Sequence, residues 1–335
     1  MTRAGKRTFV YEGRPVLRAA AAIVGPKEGQ GPLGADFDQV LPDDLLGMKS
    51  WEQAESEMLR RVVELCASKA GMTTKAIDIM LAGDLQDQIT SSGFAARALG
   101  IPFFGLYGAC STFIESMVLG GVLVDAKLSD RAVCAASSHF CAAERQYRFP
   151  LELGNQRPPS AQWTATAAGA VLVTREDAGL CHLTHGTVGR IVDYQIKDAN
   201  HMGAAMAPAV ADTLTAHFKD TGRTPQDYDQ IVTGDLGFIG RELLMDLMQE
   251  RGMPLTPDHL ADCGSMLYSP EQDAHAGGSG CGCIASVLSA HFLPMISGPF
   301  GRLLALGSGA MLSPATTQQG ESIPSISYAV ALEAM

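Results

Sequence analysis

The chain lacks the excess of positive charge that nucleic-acid partners require. Its 335 residues carry 25 lysines and arginines against 36 aspartates and glutamates, which gives a net charge of −11. A protein that neutralises phosphates needs clustered Lys and Arg side chains, and the sequence shows no such cluster. Nucleic acid is therefore excluded as an expected partner.

Long apolar runs are missing as well. Hydrophobic residues make up 46% of the chain, which is ample for a large core. No apolar run, however, reaches the roughly 18 residues that a membrane-spanning helix needs, and no secretory signal is recognised at the start. We therefore expect a soluble chain that could bind a membrane only at its periphery.

The cysteines show neither a disulfide framework nor a metal-binding pattern. They are scattered through apolar segments, which favours buried, reduced thiols in a cytosol-like compartment. Zinc sites usually combine two Cys-x2–4-Cys or His pairs, but Cys281 and Cys283 are one residue apart and have no second pair. We predict no metal and no cofactor. The eight positions are 66, 110, 134, 141, 181, 263, 281 and 283.

Two stretches of the chain repeat the pattern G-x-T-x4-D-x4-G-D-L. The copies begin at Gly71 and Gly222, and Asp84 in the first copy corresponds to Asp235 in the second, an offset of 151 at both ends (222 − 71 and 235 − 84). This agreement predicts an internal duplication with halves at 1–190 and 191–335. Paired carboxylates near a pseudo-twofold axis suggest acid–base chemistry, but their position beside Gly at strand ends favours cap or turn roles.

Apolar segments alternate with helix-like segments in both halves. Helices are predicted at 51–70, 91–99, 111–126, 204–221 and 281–293, and strands at 77–83, 103–109, 131–137, 167–174, 229–234 and 302–308. Such alternation is typical of a mostly parallel sheet with helices on both faces. Two units of this kind predict a five-layer α-β-α-β-α sandwich. The aperiodic segment 142–166, which holds Arg145, Arg148, Pro150 and Arg157, is predicted to be a long loop beside a site or an interface.

Cys110 stands where several enzyme families place a nucleophile. It follows Gly108 and Ala109 at a predicted strand-to-helix turn, within the segment GLYGACSTFIESM at 105–117. The amide dipoles at a helix N-terminus stabilise a thiolate and so lower the pKa of a thiol. The residues alone leave three roles open for Cys110: nucleophile, wall of a ligand pocket, or core side chain packed under the helix.

The segment Ala109-Cys110-Ser111-Thr112-Phe113 resembles the nucleophile motif of the thiolase-like superfamily, which includes the ketoacyl synthases. Longer strings are similar to the stage V sporulation protein AD family and extend the resemblance from about residue 30 to about residue 315. These strings include GPLG (31–34), MKSWEQAE (48–55), QRPPSAQWT (156–164), MGAAMAPA (202–209) and AGGSGCGC (276–283).

This resemblance implies a thiolase-like fold and a homodimer that pairs through the edge strand at 103–109. It also implies binding of dipicolinic acid (pyridine-2,6-dicarboxylate), free or as its calcium chelate, and support of dipicolinate uptake into the developing bacterial spore. The implied location is the spore inner membrane, on its surface and together with other membrane proteins of the SpoVA group.

The same resemblance implies that the catalytic partners of the cysteine are lost. In the synthase-like pattern a His follows the second-half strand and an Asn occupies a Gly-Asn-Thr/Ser turn, but Gly234 and Gly278 stand at these places. His275 is close enough to the second motif to substitute. We therefore expect a non-catalytic binding protein. Two alternatives stay open: an acyl-thioester condensing enzyme that uses Cys110, and a scaffold for a spore membrane channel.

Four further residues are candidate ligand contacts. Ser137 and Ser138 end a predicted strand, where ligands of parallel sheets usually bind, and their hydroxyls would donate to a carboxylate or close a turn. His139 follows them, as a ligand donor or as a structural histidine. Asp130 precedes the strand and is typical of a solvated turn, whereas the resemblance implies that it borders the pocket.

Overall fold

The computed structural model describes residues 1–147 and 157–335. The predicted loop at 142–166 lies partly outside these ranges, and so do Arg148 and Pro150. The start of that prediction is wrong, because residues 142–147 belong to a helix that begins at Phe140.

The bounds of the strands and helices agree with the predicted segments to within a few residues, apart from 103–109 and 281–293. In the second of these the α-helix ends at Val287 and a π-helical segment, Leu288–Phe292, follows it. The strands are β1 (Thr2–Arg3), β2 (Thr8–Val10), β3 (Val16–Val24), β4 (Gln39–Val40), β5 (Ile79–Gly83), β6 (Phe103–Gly105), β7 (Arg131–Ser138), β8 (Trp163–Thr164), β9 (Ala167–Thr174), β10 (Cys181–Thr187), β11 (Gln230–Thr233), β12 (Leu260–Asp262), β13 (Gly278–Ser279), β14 (Arg302–Ala310) and β15 (Ser325–Glu333). The helices are α1 (Pro26–Gly29), α2 (Trp51–Lys69), α3 (Thr90–Leu99), α4 (Thr112–Asp125), α5 (Phe140–Tyr147), α6 (Met202–Thr221), α7 (Gly237–Glu250), α8 (Cys263–Leu267), α9 (Cys281–Val287), α10 (Leu293–Met295) and α11 (Pro314–Gln318).

The strands of the two halves follow the same order, as the duplication predicts. From its edge inward the first set of strands runs β6-β5-β7-β9-β3, and the second set runs β12-β11-β14-β15-β10. β10 (Cys181–Thr187) belongs to the second set although it precedes the predicted boundary after residue 190. The two sets join where β3 pairs with β10. The repeat-related strands β5 and β11 therefore occupy equivalent places, each second from its edge. The domain boundary after residue 190 stays a prediction.

The sheet is mixed. β5 runs parallel to β6 and β7, and β11 runs parallel to β12 and β14. β9 and β15 are antiparallel to both of their neighbours. The expectation of a mostly parallel sheet is wrong for these inner strands. For β15 the reason is its connection to β14, residues 311–324, which turns the chain back beside β14 without crossing the sheet.

Helices occupy three layers around the strands. α2 and α3 cover the strands of the first half, and α6 and α7 cover those of the second. α4 lies between the two sets and contacts strands of both, and α9 packs beside it. The predicted five-layer α-β-α-β-α sandwich is therefore confirmed. Within the described residues, no helix is both long enough and apolar enough to cross a bilayer.

The strand predicted at 103–109 is shorter than expected. β6 ends at Gly105, and Ala109 adopts a left-handed backbone conformation with φ 50°. The Ser111 amide donates to the Gly108 carbonyl, and α4 begins at Thr112. A left-handed residue cannot continue a strand. The turn between β6 and α4 therefore includes the residues that precede Cys110, which were predicted to belong to the strand.

Candidate functional site

Cys110 lies directly before the first turn of α4, where it is held by hydrogen bonds of the surrounding turn. The Thr112 hydroxyl donates to the Ala109 carbonyl at 2.7 Å and accepts from the Gly108 amide at 2.9 Å. Gly309 of β14 packs against the same turn, and a Cβ at this glycine would lie 2.1 Å from the Gly108 carbonyl oxygen. The predicted presentation of Cys110 at a strand-to-helix turn is confirmed.

The Asp235 carboxyl group is the acidic partner of the Cys110 site. It accepts hydrogen bonds from the Ser308 hydroxyl at 2.7 Å, the Gly280 amide at 2.8 Å and the Ser279 hydroxyl at 3.1 Å. The Ser279 hydroxyl in turn lies 4.0 Å from the Cys110 sulfur. Asp235 is fully buried. The predicted turn role of this repeat-related aspartate therefore includes contact with the site.

The surroundings of the Cys110 thiol favour its protonated form. Burial raises its pKa well above the ordinary value, and the charge and hydrogen bonding of Asp235 raise it further. The expectation that the helix N-terminus lowers this pKa is wrong, because burial and a neighbouring carboxyl group outweigh the helix dipole. Burial also raises the pKa of Asp235. A thiol in this state donates hydrogen bonds and is a poor nucleophile.

The two glycines at the expected His and Asn positions would not place a side chain against Cys110. The atoms nearest to a Cβ added at either glycine belong to other residues. A Cβ on Gly234 would lie 3.0 Å from the Ser308 hydroxyl oxygen, and a Cβ on Gly278 would meet a leucine and a tyrosine of the core. Their sequence neighbours Asp235 and Ser279 face the thiol instead. The loss of a catalytic His and Asn at Gly234 and Gly278 stays a prediction.

Three adjacent candidates at the end of β7 are engaged inside the protein. Ser137 donates to Glu55 at 3.0 Å, and Ser138 donates to a backbone carbonyl at 2.7 Å. One ring nitrogen of His139 lies 2.8 Å from another backbone carbonyl, and burial lowers the pKa of the ring. None of the three is among the described residues that line the Cys110 cavity. Their role as ligand contacts stays a prediction.

Asp130 and His275 lie apart from the Cys110 cavity. Asp130 precedes β7, whose eight residues separate it from the Cys110 edge of the sheet by roughly 26 Å. Its exposed carboxylate pairs with Arg175 at 2.6 Å. The two ring nitrogens of His275 contact the Pro158 carbonyl and Asp273, each at 2.8 Å. The structure therefore does not bring either residue to the thiol.

A small cavity opens beside Cys110. Its volume is about 40 Å³, which holds roughly three water molecules. The walls are mostly apolar or aromatic, with a few hydroxyl, thiol and carboxyl groups, a composition typical of small-molecule sites. The lining residues are Leu85, Tyr107, Ala109, Cys110, Ala143, Glu144, Tyr147, Thr164, Met202, Met206, Ser279, Ala310 and Leu312.

Sequence reasoning missed the aromatic and thioether walls of this cavity. Met202 and Met206 are four residues apart and therefore share one face of α6, a spacing that is visible in the sequence. Tyr107 comes three residues before Cys110, which also suggests proximity. Tyr147 carries no such signal, because it lies in the segment predicted to be a loop.

Comparisons with known proteins identify the family to which this chain belongs. The family model described as stage V sporulation protein AD matches residues 5–333. The stage V sporulation protein AD of Bacillus subtilis (strain 168) is 42% identical over 334 residues, which cover 99% of this chain and 98% of that protein.

Solved structures with low sequence identity share the fold. Human mitochondrial 3-ketoacyl-CoA thiolase in complex with CoA superposes with a TM-score of 0.60 at 14% identity, covering 96% of this chain and 98% of that one. The 3-oxoacyl-[acyl-carrier-protein] synthase III from Aquifex aeolicus VF5 gives 0.56 at 11% identity, covering 95% and 99%. The fold is thus thiolase-like, and the match over almost the whole length shows that the chain belongs to the stage V sporulation protein AD family.

Proposed function

We propose that this chain is a non-catalytic binding protein for dipicolinate, which supports the uptake of that molecule into the developing bacterial spore. The observation that carries the proposal is a buried cysteine thiol in a small, partly aromatic cavity, where burial and Asp235 raise the pKa of the thiol. Acyl transfer needs a thiolate, whereas binding needs hydrogen-bond donors and apolar walls. Membership of a sporulation family supplies the biological setting.

The chemistry of the cavity suits a planar aromatic dicarboxylate. Tyr107 and Tyr147 offer flat walls for a ring. The hydroxyls of Thr164 and Ser279 donate to Glu144 and Asp235, so each would donate to a ligand carboxylate only by exchanging its present acceptor. The first amides of α4 add the positive end of a helix dipole. Because burial raises the pKa of Asp235, a larger fraction of this group is uncharged near a bound dianion.

The volume of the cavity sets a condition on binding. A pyridine ring with two carboxylates needs more room than three water molecules. Met202 and Met206 line the cavity, and methionine side chains adapt readily because they are unbranched and flexible. Binding therefore includes a rearrangement of these walls.

The proposal extends to assembly and location. The chain would act as a homodimer on the surface of the spore inner membrane, bound to other membrane proteins of the SpoVA group, with dipicolinate free or as its calcium chelate. β6 supports the dimer, since it pairs with β5 and has no strand of the described residues on its other side. Phe104 on this strand is 52% exposed, and apolar edge strands are rarely left uncovered.

One observation favours a second candidate, an acyl-thioester condensing enzyme. Cys110 lies directly before the first turn of a central helix, in a fold shared with thiolases and ketoacyl synthases. Incubation with acyl-CoA followed by mass spectrometry of the Cys110 peptide separates the two functions. We expect no acylation. Acylation of the native chain that is absent from Cys110→Ala would favour the enzyme.

Equilibrium dialysis of dipicolinate against the purified chain, with and without calcium, tests the proposed function. We expect saturable binding of dipicolinate and weaker binding of isophthalate, which has the same carboxylates but no ring nitrogen. If dipicolinate fails to bind in both conditions, the proposal is wrong. Co-purification with membrane proteins despite that failure would favour a scaffold.

A further inference from the structure

Two tyrosines separate the Cys110 cavity from a second cleft on the surface. This outer cleft measures about 350 Å³ and is lined in part by Gln88, Ile89 and Ser313. Tyr107, Tyr147 and Leu312 line both the inner cavity and the outer cleft. The two spaces therefore adjoin at these three side chains, of which only the two tyrosines are joined by a hydrogen bond.

A short chain of hydrogen bonds holds the pair together. The two hydroxyl oxygens lie 3.0 Å apart, and the Tyr147 hydroxyl donates to the Leu85 carbonyl. Because a phenol has a single proton, Tyr147 is already engaged as a donor, and Tyr107 must donate to Tyr147. Removal of the Tyr147 hydroxyl therefore breaks both links, whereas removal of the Tyr107 hydroxyl breaks one.

The pair is suited to open. Tyr107 is 40% exposed, so that its hydroxyl can exchange Tyr147 for water at a small net cost. The inner cavity holds only about three water molecules, whereas the outer cleft is several times larger. Separation of the two rings would join the spaces and admit a planar molecule edge-on.

We propose that Tyr107 and Tyr147 form a gate between the outer cleft and the Cys110 cavity, and that this gate controls by size which molecules reach the thiol. The identity of the natural ligand rests on the proposed function, but the gate itself is tested without that ligand. The side chains of Tyr107 and Tyr147 move when the gate opens, and the hydrogen bond between their hydroxyl groups keeps it closed.

The rate at which Cys110 is alkylated measures how often the gate opens. The native chain, Tyr107→Phe and Tyr147→Phe are treated with N-ethylmaleimide and with the bulkier N-phenylmaleimide, and each cysteine peptide is quantified over time by mass spectrometry. One net hydrogen bond corresponds to a rate gain of about threefold to tenfold. We expect Cys110 labelling to rise in the order native, Tyr107→Phe, Tyr147→Phe, with the larger gain for the bulkier reagent.

Internal and matched controls separate a gate from general loosening. Cys281 and Cys283 are buried thiols outside the cavity lining, and their labelling should stay at the native rate in both variants. Tyr228→Phe removes a buried hydroxyl that contacts the His217 ring. Tyr228 lines neither the inner cavity nor the outer cleft, so this variant should leave Cys110 labelling unchanged. Circular dichroism confirms that each variant is folded.

Three results overturn the gate: native Cys110 rates in both gate variants, equal acceleration of Cys281 and Cys283, or no Cys110 labelling in any protein. The ligand question is answered separately. If dipicolinate does not bind but Cys110 is alkylated faster in the gate variants, the gate is supported and the proposed ligand is wrong. If dipicolinate binds but the alkylation rate of Cys110 is the same in all variants, the ligand is supported and the gate is wrong.

Discussion

At the residue scale, the environment of Cys110 decides what a thiol at a helix N-terminus can do. The dipole of α4 favours a thiolate, but burial and Asp235 favour the neutral thiol and raise its pKa. Ser279, Ser308 and the Gly280 amide all donate to Asp235, so this carboxyl group is held in place. The outcome is a thiol with a raised pKa at the start of α4, suited to donate a hydrogen bond.

Asp235→Asn should make Cys110 more reactive. Removal of the carboxyl group removes one cause of the raised thiol pKa, so that the pKa falls and alkylation by iodoacetamide accelerates at a given pH. The measurement is the pH profile of Cys110 labelling. Asp84→Asn, at the repeat-related position, is the matched control and should leave the profile unchanged. An identical profile for Asp235→Asn and the native chain would show that Asp235 does not raise the pKa of Cys110.

Glu28 is a second buried acid with a strongly perturbed environment. Burial raises its pKa to about 7. Tyr268 and the Thr166 amide donate to one carboxylate oxygen, and the other oxygen has no hydrogen-bond partner among the described residues. Below about pH 7 the folded chain therefore holds Glu28 mainly as the protonated acid.

The pH dependence of stability should report this preference. Below the ordinary pKa of 4.5 Glu28 is protonated in both states; as the pH rises through about 7, ionisation favours the unfolded chain and the free energy of unfolding falls. Glu28→Gln does not ionise. Urea unfolding should show the stability of Glu28→Gln rising relative to the native chain between pH 5 and 8, by about 3 kcal/mol at most. A pH-independent difference would contradict the assignment.

At the element scale, the turn before α4 depends on close backbone contacts. A Cβ on Gly309 of β14 would lie 2.1 Å from the Gly108 carbonyl oxygen, whereas a Cβ on Gly93 within α3 would meet nothing within 4 Å. The two glycines therefore form a matched pair for a single added methyl group.

Gly309→Ala should destabilise the chain by about 1–3 kcal/mol, since backbone atoms must move to relieve the overlap. Gly93→Ala should stabilise it by up to about 1 kcal/mol through helix propensity. Urea denaturation of both variants measures the difference. Equal effects of the two substitutions would mean that β14 does not support the Cys110 turn.

Much of the fold could be predicted from local patterns. The repeated G-x-T-x4-D-x4-G-D-L segments identify β5 and β11 as equivalent strands, and the helical periodicity of 51–70 identifies α2. β3, β10 and β15 were not predicted, and their antiparallel pairing depends on which segments meet in three dimensions. The strand was predicted to extend to residue 109, whereas β6 ends at Gly105. Ala109 adopts a left-handed conformation, which an alanine does not signal in the sequence as a glycine would.

The site was less predictable than the fold. The role of Cys110 as a cavity residue could be inferred from its turn. Its partner Ser279, however, is 169 positions away in the sequence, and Asp235 precedes Ser279 by 44 positions. Only the packing of α4 against the second half brings these groups together. The raised pKa of Cys110 follows from that burial, which local sequence does not report.

At the scale of the whole molecule, β6 is one of the two edge strands in the main strand order of the sheet, and no other strand of the described residues pairs with its outer side. β6 ends the strand order on the first-half side, and its residue Phe104 is exposed. Edge strands of this kind template pairing with another chain, and two copies of one chain pair most simply about a twofold axis.

Light scattering on the purified chain should therefore give about twice 35.3 kDa at micromolar concentration. Phe104→Lys should shift the chain toward the monomer by adding charge to the paired edge. Leu128→Lys, at a leucine that is 74% exposed outside this edge, should remain dimeric. A native chain that scatters as a monomer, or a Phe104→Lys variant that stays fully dimeric, would count against pairing through β6.

The most direct test of the account is calorimetric titration of dipicolinate into the native chain, Cys110→Ala and Cys134→Ala. Both variants delete one buried sulfur, but Cys134 lies in β7 and does not line the cavity. We predict that Cys110→Ala weakens binding by tenfold or more, about 1.4 kcal/mol, while Cys134→Ala binds as the native chain does. Unchanged affinity in a folded Cys110→Ala variant would place the ligand elsewhere and contradict the account.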